Sequence, residues 1–302
     1  MEDRLQKFVR LIDAGGFTRA SRELHISQPA LSVAVAKLER ELHALLLVHG
    51  VRPLTLTPAG RLAYAAGQEL QIKTANLKMQ LAELANQKVA VSVGMIDSVA
   101  GLLFATPDSV DELEHSASVS LVVDNSRNLL QAVEKGELDM AFVTGQRQYA
   151  AALEVLQTTV EPLVVVCHPA LHGEFDRTVK SGRLPRFISY DQASATHRLV
   201  ADALRQRHVT AEPTFYSTSP EVMLRMVLLQ KGAAALPWLL VREQIQDGEL
   251  TLVGQRLLVQ RPIAAVTRRG AVPAAPLVRT MEQIGVLLGS TLGSAESAAA
   301  EL

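Results

Sequence analysis

The stretch Ala14–Ser32, AGGFTRASRELHISQPALS, holds two helix starts in close succession. Before it, Leu5, Phe8, Val9, Leu11 and Ile12 recur with helical spacing, and Gly15-Gly16 ends that amphipathic helix. Thr18 is placed to cap a second, short helix with Phe17, Ala20 and Leu24 inward, ending near His25-Ile26. Ser27 is a good N-cap for a third helix, and Pro29 falls in its first turn, where a missing N–H costs nothing. Leu31, Val35 and Leu38 share one face of that helix. Gln28, Ala30, Ser32, Val33 and Lys37 fall largely on the other, so the leading edge is small and polar.

A short helix, a tight turn and a second helix make a helix-turn-helix, whose second helix enters the DNA major groove by its N-terminal end. A small polar edge fits the groove, Gln pairs bidentately with adenine, and Ser donates or accepts. A plain three-helix unit with a solvated polar face would show the same spacing. The residues after Leu42 add weight to the DNA-binding arrangement. In VHGVRPLTLTPAG, Val51, Leu54 and Leu56 with Arg52 and Thr55 between them read as a short strand pair, and Thr57 caps another helix at Pro58. That is a wing, with Arg52 free to reach a phosphate.

The string F-x-x-A-S-x-x-L-x-I-S-Q-P-A-L-S, then L-E-x-E-L, then R-P-L-x-L-T-P-A-G, resembles the N-terminal domain of LysR-type transcriptional regulators over most of residues 5–60. The resemblance implies DNA contact by Thr18, Ser27, Gln28, Pro29, Ser32, Lys37, Arg52 and Thr57, with Gln28, Pro29 and Ser32 at base edges. The chain departs from the family pattern in three places. His49 stands where Arg is usual, Leu47 where Phe is usual, and Gly16 where Ser is common. His49 is mostly neutral at pH 7, so one phosphate contact is weakened.

From Pro58 to about Lys88 the pattern is helical. Ala63, Leu70, Leu77 and Leu84 lie seven apart and Leu81 joins the stripe, a seam for a second helix. Gly67 weakens that helix locally. Packing on its own domain would use such a stripe too, but a dimer suits a palindromic site, and the resemblance implies the same pairing. Asn86-Gln87-Lys88 reads as a hinge.

Beyond it, strands at 89–94, 119–123 and 138–143 alternate with a helix at 96–104 and another that Ser126 caps, running through Leu129, Leu130 and Val133, as in a parallel sheet covered by helices. Further strands are expected at 163–167, 186–190, 214–217, 233–236 and 263–267, and helices at 202–207, 221–229, 237–247 and 277–288. Ligands of such sheets bind beyond the strand ends. There the chain offers Ile96, Asp97, Ser98, Thr144, Ser194, Thr196 and Thr218, expected to line an effector cleft; Ser, Thr and Gly also end strands with no ligand in view. With Arg127 and Arg198 this set suits a carboxylate. LLQAVEKGELDMAFV and KGAAALP resemble the family's effector domain, the second with Ala where a second Gly is usual.

The expected fold is α/β: a winged helix-turn-helix at 1–60, a linker helix at 61–88, and an effector-binding domain at 89–290 that the resemblance implies is two-lobed, like periplasmic binding proteins. Lobe one is 89–160 with 261–290, lobe two is 161–260, and 291–302 is a flexible tail. The resemblance implies four partners: double-stranded DNA of dyad symmetry, a small-molecule effector, further copies of the chain as homodimer or homotetramer, and RNA polymerase.

The charge balance agrees. Residues 1–88 carry 12 Lys/Arg against 8 Asp/Glu, and residues 89–302 carry 18 against 23. A mildly basic first part on an acidic body hints at a polyanion partner for the first part only. The single cysteine, Cys167, excludes an intramolecular disulfide and fits a reducing compartment. MEDRLQKFVR lacks an apolar run, and no transmembrane stretch is evident, so the cytoplasm is the expected location, with no membrane partner. No phosphate-cradling Gly loop, nucleophile elbow or paired Cys/His spacing appears, so neither cofactor, metal nor enzymatic activity is expected. His168 and His172 are four apart with Pro169 between them, and Glu112 and Glu114 read as a solvated pair. An alternative reading is a small-molecule binding protein with impaired DNA binding.

Overall fold

The computed structural model describes residues 1–48, 53–85, 88–104, 117–254 and 258–300. His49, Val51 and Arg52 of the expected wing, Asn86 and Gln87 of the expected hinge, and Glu112 and Glu114 lie outside these residues. The chain divides into two units, residues 1–87 with 270–272, and residues 88–269 with 273–302.

In the first unit, α1 (Glu2–Asp13), α2 (Phe17–Glu23) and α3 (Gln28–Glu41) precede the long α4 (Pro58–Leu84). Phe8, Leu11, Leu31, Leu38 and Leu46 are shut off from solvent at the centre of this unit. Each such side chain contributes about 1.5–3 kcal/mol by leaving water. Ser27 caps α3 by accepting from Ala30 N at 3.2 Å, with Pro29 in the first turn. α2 has no such cap. Gly16 precedes it in an extended conformation, and Thr18 lies inside the first turn. A Gly in place of Ser at this position costs a few tenths of a kcal/mol.

The wing differs from the expected pairing. Leu47 bridges Leu56, and Val48 N donates to Thr55 O at 2.9 Å, so the strand entering the wing pairs with the one leaving it. Leu47 is buried in the domain core, where Leu fills an apolar site as Phe would. Glu39 fastens the wing to α3, its carboxylate accepting from Leu46 N at 2.8 Å and Leu47 N at 3.3 Å.

Ala63 belongs to this same core and not to an exposed seam. Gly67 has a packing reason: a Cβ there would come within 2.4 Å of Val9 Cγ2, so its absence lets α1 approach α4. Beyond that contact Leu77, Leu81 and Leu84 are 56, 55 and 84% exposed.

The second unit is a mixed sheet and not an all-parallel one. β1 (Val89–Met95), α5 (Asp97–Phe104), β2 (Ala117–Val123), α6 (Ser126–Lys135) and β3 (Met140–Thr144) form one half. β4 (Leu153–Cys167) then leads to α7 (His172–Lys180), β5 (Arg183–Tyr190), α8 (Ala195–Gln206), β6 (Thr210–Ser217), α9 (Pro220–Leu228) and β7 (Ala233–Pro237). α10 (Trp238–Gln246), β8 (Thr251–Leu252), β9 (Leu258–Arg268) and α11 (Ala275–Ala300) complete it. Among the described residues the strand order is β2-β1-β3-β9-β4-β7-β5-β6, with β8 on β4.

β1 pairs parallel with β2 and β3, and β5 with β6 and β7. β9 runs antiparallel to both β3 and β4, and β4 antiparallel to β7. β4 and β9 are thus two long strands that cross together from one half of the sheet to the other. Sequence patterning sees only their apolar ends, 163–167 and 263–267, because their middles carry polar residues and the prolines Pro162 and Pro262.

Two further expectations change. Asn125, and not Ser126, caps α6, accepting from Asn128 N at 3.1 Å. The expected flexible tail from 291 is helical through Ala300: Ala295 is buried and Trp238 Nε1 donates to Ser294 Oγ at 3.0 Å. His168 and His172 flank a 3-10 turn (Pro169–Leu171), where His168 Nδ1 accepts from Ala170 N at 3.1 Å. Among the described residues no helix is long and apolar enough to cross a membrane.

Gly232, in the expected KGAAALP turn, sits against β5 so closely that a Cβ would lie 1.8 Å from Arg186 O. That atom is backbone and cannot swing away. Gly232→Val is expected to lower stability by about 1–3 kcal/mol, read as a fall in the urea midpoint of the full chain.

Candidate DNA-contact helix and effector cleft

At the start of α3, Ser27, Gln28, Pro29, Ser32 and Lys37 are all exposed, while Leu31, Val35 and Leu38 face the core. The core-facing residues leave the helix no freedom to turn its polar edge inward. Thr18 is exposed too, and its hydroxyl donates to Gln28 Oε1 at 3.3 Å, which holds the amide across the turn. Thr57 differs from these. It caps α4, donating to Leu45 O at 2.6 Å and accepting from Gly60 N at 2.9 Å, so its hydroxyl is committed to backbone.

In the second unit, Ile96, Asp97, Ser98, Thr144, Ser194, Thr196 and Thr218 all line one cavity of about 300 Å³. Ile96 follows β1, Asp97 and Ser98 open α5, Thr144 ends β3, Ser194 caps α8 and Thr218 follows β6. Both halves of the sheet therefore contribute. Arg127 and Arg198 do not line this cavity. They line an adjoining hollow of about 490 Å³ that shares Asn125, Ser126, Ser194 and Thr218 with it.

The floor of the cavity holds residues that patterning missed. Arg261 and Glu161 are 3 and 2% exposed and are direct cross-strand partners of β9 and β4. Arg261 Nε donates to Glu161 Oε2 at 2.8 Å, and its Nη2 reaches the same oxygen. Nη2 also donates to Ser98 Oγ at 2.6 Å, and Nη1 to Thr196 Oγ1 at 3.3 Å. Thr196 in turn meets Thr144 Oγ1 at 3.3 Å. One guanidinium thus joins side chains from α5, α8, β4 and β9. The usable signal was a charge beside proline in each strand, Glu161-Pro162 and Arg261-Pro262.

Burial is the largest influence on Arg261 and opposes its charge, but Glu161, Tyr190 and Asp97 together outweigh it and hold the guanidinium above its ordinary pKa. Asp97 is raised above the usual carboxylate range by burial, with a Ser219 hydroxyl and Arg261 pulling it back. Burial also raises the Tyr190 phenol, another lining residue. Cys167 is buried in β4, away from solvent, and burial pushes its thiol up to about 12. Such a thiol is inert as a nucleophile.

Two family models match the chain. "Bacterial regulatory helix-turn-helix protein, lysR family" covers residues 3–61, and "LysR substrate binding domain" covers residues 90–285. The chain belongs to the LysR-type transcriptional regulators. It is 28% identical over 240 residues to the HTH-type transcriptional regulator BudR of Raoultella terrigena, covering 77% of this chain and 83% of that one. Among solved structures, full-length LysG of Corynebacterium glutamicum with bound effector Arg superposes with a TM-score of 0.66. The match has 18% identity and covers 95% of this chain and 98% of that one. Vibrio fischeri DarR in complex with DNA gives a TM-score of 0.50 at 20% identity, covering 96 and 98%. These two likenesses show the fold.

Removing one member of the buried pair leaves an uncompensated charge, which costs about 3–5 kcal/mol. Arg261→Met is expected to lose that much in urea unfolding. The double variant Arg261→Met with Glu161→Gln is expected to recover much of it, since no buried charge remains.

Proposed function

We propose that the chain is a sequence-specific DNA-binding regulator controlled by a small molecule held between the two halves of its second unit. The observation that carries the DNA half is the placement of Gln28, Pro29 and Ser32. They sit exposed at the capped N-terminus of α3, whose opposite face is locked in the core. Such an end presents its polar side chains to base edges. Ser27, Thr18 and Lys37 serve as backbone-positioning contacts, and Arg52 of the wing as a further one. Thr57 acts through its cap, setting where α4 leaves the wing. DarR of Vibrio fischeri, a protein of the same fold, is seen in complex with DNA.

The exposed stripe Leu77, Leu81 and Leu84 supports self-association through α4. Two copies would set two recognition helices on a site of dyad symmetry. The cleft ligand acts by binding one arrangement of subunits better than another, since a ligand of equal affinity shifts nothing. RNA polymerase is then the machinery whose access to the promoter changes. A regulator working in this way acts in the cytoplasm and carries out no chemistry on its ligand.

The test is recovery of sheared genomic DNA by the purified protein at near-physiological salt. A few sites of two-fold symmetry are expected to be enriched, and Gln28→Ala is expected to lower affinity for them by about 1–3 kcal/mol per contacted base pair. Even recovery that vanishes with salt would mean phosphate binding alone and leave the cleft as the working site. Leu77→Asp with Leu81→Asp is expected to shift the chain toward monomer in sedimentation and to weaken binding to a full site more than to a half-site.

A further inference from the structure

The cleft has a sign. Asp97 and Asp124 line the 300 Å³ cavity, and Arg261 is the cation among its described lining residues. That cation is spent: Glu161 lies beside it as a buried partner, and Ser98 and Thr196 take two more of its N–H groups. Counted with Glu161, the immediate surroundings carry three carboxylates against one guanidinium. A second hollow of about 390 Å³ also has Asp97, Ser98 and Glu161 in its lining. It adds Glu221 and Glu243 against Arg242, so the field there is acidic as well. Arg127 and Arg198, the basic pair that the sequence suggests for a carboxylate, face the adjoining hollow and not this cavity.

A second observation is independent of charge. Tyr190 is 4% exposed and lines the cavity, yet its hydroxyl has no hydrogen-bond partner among the described residues. A buried hydroxyl without a partner is a standing cost to the folded state. A ligand that meets it recovers that cost.

We propose that this cavity takes a small molecule bearing a positively charged amino group, seated against the Asp97 carboxylate, with the Tyr190 hydroxyl meeting a polar atom of the same ligand. The proposal rests on reading the cleft as the effector site and names the chemistry of what fills it. Asp97 stands half-buried at the start of α5 with its hydrogen bond from Ser219. It therefore has oxygen capacity left for an ammonium. Asp124 is held by the amides of Asn125 and Asn128 and supplies field rather than the direct contact. Asp97 is half-buried, so an ammonium–carboxylate pair there is worth more than one in open solvent. A carboxylate ligand at the same place would meet Asp97 and Asp124 and be repelled.

The test is isothermal titration of the full chain with three probes of similar length: putrescine, γ-aminobutyrate and butyrate. Saturable binding of putrescine or γ-aminobutyrate, with none of butyrate, is expected. Asp97→Asn is expected to weaken amine binding by about tenfold or more, and Tyr190→Phe by about threefold or more. Both changes are nearly isosteric, and Tyr190→Phe removes only an unpaired hydroxyl, so the folded chain persists in at least that variant. Binding of butyrate but neither amine overturns the charge assignment; if Thr196→Val abolishes it, the cleft reading still stands. Amine binding that neither substitution weakens places the amine elsewhere and overturns both readings. Absence of saturable binding by either amine at millimolar concentration overturns the proposal.

Discussion

The buried pair of Arg261 and Glu161 is the constraint around which the second unit is arranged. A guanidinium taken out of water is tolerated only with its charge matched and its N–H groups occupied. β4 and β9 meet that condition by register, which sets the two residues directly opposite each other. A slip of one residue would turn Arg261 to the other face of the sheet and separate the pair. The remaining N–H groups draw Ser98 from α5 and Thr196 from α8. Elements from both halves of the sheet are thereby tied to one point, and the cavity lies over it.

That arrangement gives the cleft its character. Most hydroxyls that line it already serve the framework: Ser194 caps a helix, and Thr144 and Thr196 meet each other beneath the guanidinium. Asp97 keeps spare oxygen capacity, and the Tyr190 hydroxyl has no hydrogen-bond partner among the described residues. A site is defined here less by how many polar groups line it than by which of them are still free.

The first unit follows a different logic. Its recognition edge carries almost no structural duty, because Leu31, Val35 and Leu38 bear the packing from the opposite face of α3. Ser32 and Gln28 therefore face outward to meet a partner, the Gln28 amide already steadied by Thr18. Ser27 and Thr57 cap helices, and Glu39 ties the wing to α3. Gly67 is also explained by packing: a side chain there would push α1 off α4.

The sequence by itself determined the helix-turn-helix, its polar edge, the linker helix and the set of strand-end residues that gather at the cleft. These are local matters: helical spacing, a Ser cap, a Pro in a first turn, β-branched runs ending in Ser or Thr. It also overreached locally, assigning the cap of α6 to Ser126 when Asn125 takes it, and reading an Ala- and Ser-rich end as loose when Ala295 and Ser294 pack against the body. Only the tertiary structure decided the length and direction of β4 and β9, the pairing of Glu161 with Arg261, and the loneliness of the Tyr190 hydroxyl. Those depend on contacts between residues far apart in the chain, 100 positions in the case of Glu161 and Arg261. Local propensity cannot see such a contact, because the partner that makes a buried charge acceptable is absent from its own stretch of chain.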